Sequence, residues 1–145
     1  MTTQLLNFQR QFVDAVLSGK KRRTIRLIRK RNPAAGDELR LYTGLRQPGA
    51  RLLRVEICQH VSPVNILGIN TINIGGFNVI GSRLAREDGF ERVRDFIAFF
   101  VKQYGPLPII GRLCCIYWTP TADGLARAEE IMAGRLVNCW RGKWA

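Results

Sequence analysis

Hydrophobic residues first recur at helical spacing in Phe8, Phe12, Val13, Val16 and Leu17, with Gly19 as a stop, so the pattern predicts a helix over 7–18. The period then changes. Thr24-Ile25-Arg26-Leu27 alternates, placing Ile25 and Leu27 on one face of a strand and Thr24 and Arg26 on the other. After a turn over 33–37, Glu38–Thr43 alternates again with Leu39 and Leu41 inward. Past the turn at Gln47-Pro48-Gly49, Leu53, Val55 and Ile57 alternate with Arg54, Glu56 and Cys58. Short strands are expected over 64–66 and 72–79, and an apolar strand over 113–118. Between them, Val93, Phe96, Ile97, Phe100 and Val101 mark a helix over 91–104, ended by Gly105-Pro106. Asp88 and Glu91 have capping-box spacing at its start. From Thr121 onward, Leu125, Ala128, Ile131, Met132, Leu136 and Val137 align as a C-terminal helix. The whole reads as an α+β chain: a small mixed β-barrel with flanking helices and an extra C-terminal helix.

Length agrees with one compact core. The chain has 145 residues, enough to bury roughly 70% of its unfolded surface. Residues 1–120 are expected to form the domain and 121–145 a helical extension packed on or near it. The longest uncharged run, 57–82, has the length of a membrane span. Four asparagines, Pro63 and three glycines after Gly68 make it too costly in lipid. No apolar leader follows Met1, and of the cysteines Cys58, Cys114, Cys115 and Cys139 the adjacent Cys114 and Cys115 lie in an apolar stretch that fits reduced core thiols, so a cytoplasmic protein is expected. The cysteines lack zinc-knuckle spacing and His60 is the lone histidine, so no metal or cofactor is expected.

Charge alters the picture. Lys and Arg number 23 against 11 acids, a formal net charge of +12. Eight of the cations (Lys20, Lys21, Arg22, Arg23, Arg26, Arg29, Lys30 and Arg31) crowd into twelve positions without an acid. The excess is therefore a local feature, and its natural counterpart is a polyanion, nucleic acid before an anionic membrane. A solvated basic loop is the plainer reading.

Within that segment Lys21 and Thr24 lie three apart at a loop-to-strand junction. Like charges around Lys21 disfavour its ammonium form, and a neutral lysine beside a hydroxyl makes a base and nucleophile pair. Arg26, on the strand face of Thr24, is placed to hold a phosphate or an oxyanion. Asp88 is read as either a helix cap or a site acid, and Glu87 as a surface charge or the acid in its place. Trp118 reads more readily as core than as a stacking platform. Trp140 and Trp144 on the basic tail could stack on bases, dock on the barrel or anchor a subunit contact.

The ordered series Phe8…Phe12…Val16…Gly19-Lys20-Lys21, Thr24-Ile25-Arg26, Gly36-Asp37, Leu41-Tyr42-Thr43-Gly44, Ala85…Asp88-Gly89-Phe90, Phe99-Phe100, Tyr104-Gly105 and Gly111-Arg112-Leu113…Trp118 resembles the ASCH domain, a small relative of the PUA fold. The resemblance spans about 8–118 and is closest to ASCH proteins of phages and prophages. It implies a barrel with helices at its rim and a cleft suited to RNA or a nucleobase. Some ASCH proteins hydrolyse the acyl group from the exocyclic amine of 4-N-acetylcytidine, using a lysine, a threonine three residues on, and a later acid before a helix. Here the first two fall at Lys21 and Thr24. The third falls at Asp88, where that subgroup has glutamate, with Glu87 adjacent. Arg22 and Arg23 replace the small or polar residues usual there, and the tail beyond Pro120 lies outside the resemblance.

Two functions follow as expectations. In the first, Thr24 attacks an N-acylated cytidine-type amide, Lys21 takes its proton, Asp88 or Glu87 assists, and Arg26 or Lys20 steadies the oxyanion. In the second, the chain binds RNA or single-stranded nucleic acid, with or without weak nuclease action, through Lys20, Arg22, Arg23, Arg26 and Arg29, while Tyr42 or Trp118 stacks a base.

Overall fold

The computed structural model describes residues 1–144, with side chains described as far as residue 134. Seven strands and four helices make an α+β fold. In chain order they are β1 (Thr3–Phe8), a 3-10 turn (Arg10–Phe12), α1 (Val13–Leu17), β2 (Arg23–Leu27), β3 (Glu38–Thr43), β4 (Arg51–Gly68), β5 (Thr71–Ile74), β6 (Phe77–Val79), α2 (Gly81–Glu87), α3 (Val93–Tyr104), β7 (Ile109–Trp118) and α4 (Ala122–Trp144).

The 18-residue β4 organises the sheet. Its first half pairs antiparallel with β3, which pairs parallel with β1. Its second half pairs antiparallel with β7 and β5, and β7 carries β2 on its other edge. The sheet is mixed, as expected, but it does not close into a barrel. Among the described residues β1 pairs only with β3 and β2 only with β7, so their free edges bound an opening. Aromatic side chains occupy the space beneath it: Phe12 meets Phe90 and Phe99 edge-on, at 5.5 and 5.8 Å between ring centroids.

The expected helix over 7–18 is largely replaced. Residues through Phe8 join β1, where Leu6 and Phe8 are buried, and only α1 with its preceding 3-10 turn is helical. Phe8 and Phe12 share one core cluster from two different elements, which imitates a helical period. The alternation in β4 also misleads. Leu53 and Val55 are buried as expected, yet Ile57 is exposed, and Arg54, Glu56 and Cys58 are buried as well.

The cause lies in a clamp. Arg54 donates to the Val16 and Leu17 carbonyls at the end of α1 and to the Thr121 carbonyl, while pairing with Glu56 at 2.9 Å. Glu56 in turn accepts from the Thr121 N–H and hydroxyl. That hydroxyl also accepts from the Gly124 N–H, capping α4. The C-terminal extension is thus tied to β4 and to α1 by satisfied buried charges, with Ala128 packed on Tyr42, Leu52 and Val55. Among the described residues no helix is long and apolar enough to cross a membrane.

Candidate functional site

Two turns deliver the candidate base and acid to the opening between β1 and β2. After α1 the chain reverses at Gly19, whose φ of +79° suits glycine. A Cβ there would sit 3.2 Å from Pro120. The reversal is fixed by the Gly19 N–H donating to Val16 and the Lys21 N–H donating to Ala15. At the other turn, α2 ends in a Schellman arrangement: the Gly89 N–H donates to Arg86 and the Phe90 N–H to Ala85. Asp88 is the C-cap of α2. It does not cap α3, which begins after Arg92 without a side-chain cap. Its carboxylate is freed to point inward.

There the two side chains meet. Lys21 Nζ donates to Asp88 Oδ1 at 2.8 Å and to the Asp88 carbonyl at 3.0 Å. Their side chains are only 3% and 5% exposed. Nζ also lies 4.9 Å from the centroid of the Phe12 ring. Burial lowers the Lys21 pKa below the ordinary lysine value, and Asp88 partly opposes this. Like-charge repulsion, from Arg26, contributes less than burial. The sequence argument from neighbouring cations thus reached the right direction through a minor cause.

Thr24 is buried on β2, opposite Ile116, with its side chain in the same cleft as Lys21 and Asp88. Its Oγ1 accepts from Arg26 Nε at 3.2 Å. Arg26 spans the open sheet: Nη2 donates to the Asn7 carbonyl of β1 at 2.6 Å, and Cζ lies 4.8 Å from the Phe8 ring centroid. Burial, then Arg29, pulls the Arg26 pKa down to about 10, so it stays cationic at neutral pH. The cleft measures about 100 Å³ and is walled by Phe8, Phe12, Phe99, Phe100 and Tyr104 with Gln9 and Gln103. It falls below the ~300–1,000 Å³ of sites that engulf drug-sized ligands. One planar ring or an acyl amide matches its scale, with the remainder of the ligand outside.

Other candidates lie elsewhere. Glu87 is half exposed and paired with Arg23 and Arg83, outside the cleft, so Asp88 is the carboxylate that shares it. Arg23, engaged with Glu87, lies over Tyr117. Lys20 is exposed and lines a separate groove with Asp14 and Arg86, which removes it as an oxyanion partner. Arg22 and Arg29 are exposed. Tyr42 is fully buried beneath α4, and Trp118 is 2% exposed, edge-on to Phe8, so neither ring is open for stacking. The Trp140 and Trp144 side chains lie outside the described residues.

The sequence reading missed the cleft's aromatic walls and Tyr104, which registered only as core spacing and a helix end. Among the described residues no three histidine, cysteine or acidic side chains converge as a metal site. No family model, curated protein or solved structure matches this chain significantly.

Proposed function

We propose that the protein hydrolyses the amide of an N-acylated cytidine-type nucleoside. The observation that carries this reading is the convergence of Lys21, Thr24 and Asp88 on one small cleft with Arg26 at its wall. The ASCH resemblance gives the substrate class.

In this scheme the unprotonated Lys21 amine removes the Thr24 proton as Oγ1 forms a bond to the acyl carbon. The carbonyl π pair moves onto oxygen, where the Arg26 guanidinium meets the charge. Collapse breaks the C–N bond, and the proton held by Lys21 passes to the departing exocyclic amine. Water, deprotonated by the same lysine, then attacks the acyl carbon of the threonine ester; the C–Oγ1 bond breaks, Oγ1 takes the proton back from Lys21, and the carboxylic acid leaves. Asp88 holds Nζ in place, and burial lowers the lysine pKa, which favours the free amine that the step requires.

The test is hydrolysis of 4-N-acetylcytidine by wild type, Lys21→Ala and Thr24→Ala. Each variant is expected to lose about a hundredfold or more in kcat/KM. Equal rates in all three would remove the mechanism. A second reading, binding of RNA or single-stranded nucleic acid, is favoured by the exposed cations Arg22, Arg29, Lys30 and Arg31 beside the cleft segment. Binding that persists in Thr24→Ala without turnover in wild type would support it.

A further inference from the structure

Lys21 and Asp88 are placed for a second reaction, one that uses the amine itself as nucleophile. Lys21 Nζ donates to Asp88 Oδ1 at 2.8 Å. The two side chains are 3% and 5% exposed, yet both line the cleft and so meet whatever enters it. The surroundings of Nζ are apolar. It lies 4.9 Å from the centroid of the Phe12 ring, which packs edge-on against Phe90 and Phe99. Such a pair can hold its shared proton on nitrogen, as two charges, or on oxygen, as an amine beside a carboxylic acid. An environment short of water penalises the charged form. Burial lowers the Lys21 pKa in that direction, with Asp88 opposing. Lys20, one position earlier, is exposed, lines a separate groove and has no ion pair among the described residues.

A buried lysine with an acid at hydrogen-bond distance, in a dry cleft, has what condensation with a carbonyl requires. We propose that Lys21 captures a small ring-borne aldehyde as an imine, an activity that depends on Lys21 and Asp88 and not on Thr24. The Nζ lone pair bonds to the carbonyl carbon as the C=O π pair moves onto oxygen, and Arg26, lining the same cleft, meets that charge. The proton displaced from nitrogen passes to this oxygen, giving a carbinolamine. The Asp88 carboxylic acid donates its proton to the new hydroxyl, the C–O bond breaks, water leaves, and the nitrogen lone pair closes C=N. The products are a protonated imine, the Asp88 carboxylate and one water, with nothing oxidised or reduced. The cationic nitrogen is again paired with Asp88, as in the free protein. The aldehyde is ring-borne because the cleft measures about 100 Å³ and is walled by Phe8, Phe12, Phe99, Phe100 and Tyr104.

Incubation of the full chain with benzaldehyde and sodium cyanoborohydride, which reduces an imine to a stable secondary amine, tests this. Peptide mass spectrometry with fragmentation then separates Lys21 from Lys20. Lys21 is expected to be labelled at least about tenfold faster than Lys20, the advantage of a neighbouring acid. Its labelling should saturate with benzaldehyde concentration, while that of Lys20 stays linear. Propanal, which has no ring to fill the cleft, should show a smaller bias. Asp88→Asn should slow labelling at Lys21 and leave Lys20 unchanged. Lys21→Arg keeps a cation beside Asp88 and with it the fold, read by circular dichroism, and should remove the fast, saturable label. Equal labelling of Lys20 and Lys21, or Lys21 spared altogether, overturns the imine. So does a Lys21 rate indifferent to Asp88→Asn, and a bias as large with propanal overturns the ring-borne substrate. If Lys21 captures benzaldehyde but 4-N-acetylcytidine is not cleaved, the hydrolase reading fails and the imine activity stands. Cleavage with Lys21 unlabelled gives the opposite result.

Discussion

Replacing Lys21 with methionine keeps the aliphatic stem but leaves the Asp88 carboxylate buried without its cation. Asp88 then loses the 2.8 Å hydrogen bond to its carboxylate and the 3.0 Å bond to its carbonyl, in a site where both side chains are 5% exposed or less. Breaking a buried pair from one side costs about 3–5 kcal/mol, and the retained stem keeps the packing loss small. With a urea m-value of about 1–3 kcal/mol/M, the unfolding midpoint at pH 7 is expected to fall by about 2 M. Asp88→Asn breaks the same pair from the other side and should also lower the midpoint, since Lys21 is left buried without its carboxylate. The double variant should recover stability relative to Lys21→Met, with a coupling of about 1.5–3 kcal/mol. A Lys21→Met protein within about 1 kcal/mol of wild type, and additive with Asp88→Asn, would refute the buried pair.

Lys21 also sets a pH trend in the native protein. Its folded pKa lies below the ordinary lysine value of 10.5, so the unfolded chain binds more protons between the two pKa values. Its contribution to stability is expected to rise with pH across that window and to be flat below it, read as the difference between wild type and Lys21→Met at alkaline pH. The same deprotonation supplies the base, so the hydrolysis rate should climb with pH and level off below pH 10.5, measured as a kcat/KM profile. In the α4 clamp, Gly124→Ala would place a Cβ 2.4 Å from the Glu56 carboxyl group, itself pinned by Arg54 and Thr121. A loss of about 1–3 kcal/mol is expected by thermal or urea unfolding. Arg54→Met should cost about 3–5 kcal/mol in the same assay, since Glu56 is left buried without its cation.

Periodic elements were legible where their core-facing residues recur at a fixed spacing, even in β3, whose other face buries Glu38 and Tyr42. β3 coincides with the alternation of Leu39 and Leu41, and α3 matches the run Val93, Phe96, Ile97 and Phe100 to within two residues at its start. β4 was only half legible because α4 covers its outer face, which hides an ion pair where solvent was expected. α2 went unread because its seven residues bury only Leu84 and Ala85, too few to establish a period. In the site, the Lys21–Thr24 spacing at a strand start placed both in the cleft. The family resemblance offered Asp88 or Glu87 as the acid beside Lys21 and Thr24, whereas residue pattern alone left Asp88 between helix cap and site acid. Its contact with Lys21 spans 67 positions and depends on the turn at Gly89, which local pattern does not encode. Tyr42 misled because a tyrosine in an alternating strand looks the same beneath a helix as in a groove.

Central to all of this is Thr24 as an acyl acceptor, and acid-quenched turnover followed by peptide mass spectrometry reads it directly. Wild type mixed with excess 4-N-acetylcytidine is expected to carry an acetyl group on the peptide containing Thr24. The adduct should accumulate in Lys21→Ala only slowly and be absent from Thr24→Ala. Cleavage of the substrate at full rate by Thr24→Ala, or an acetyl group found on another residue in wild type, would contradict the assignment.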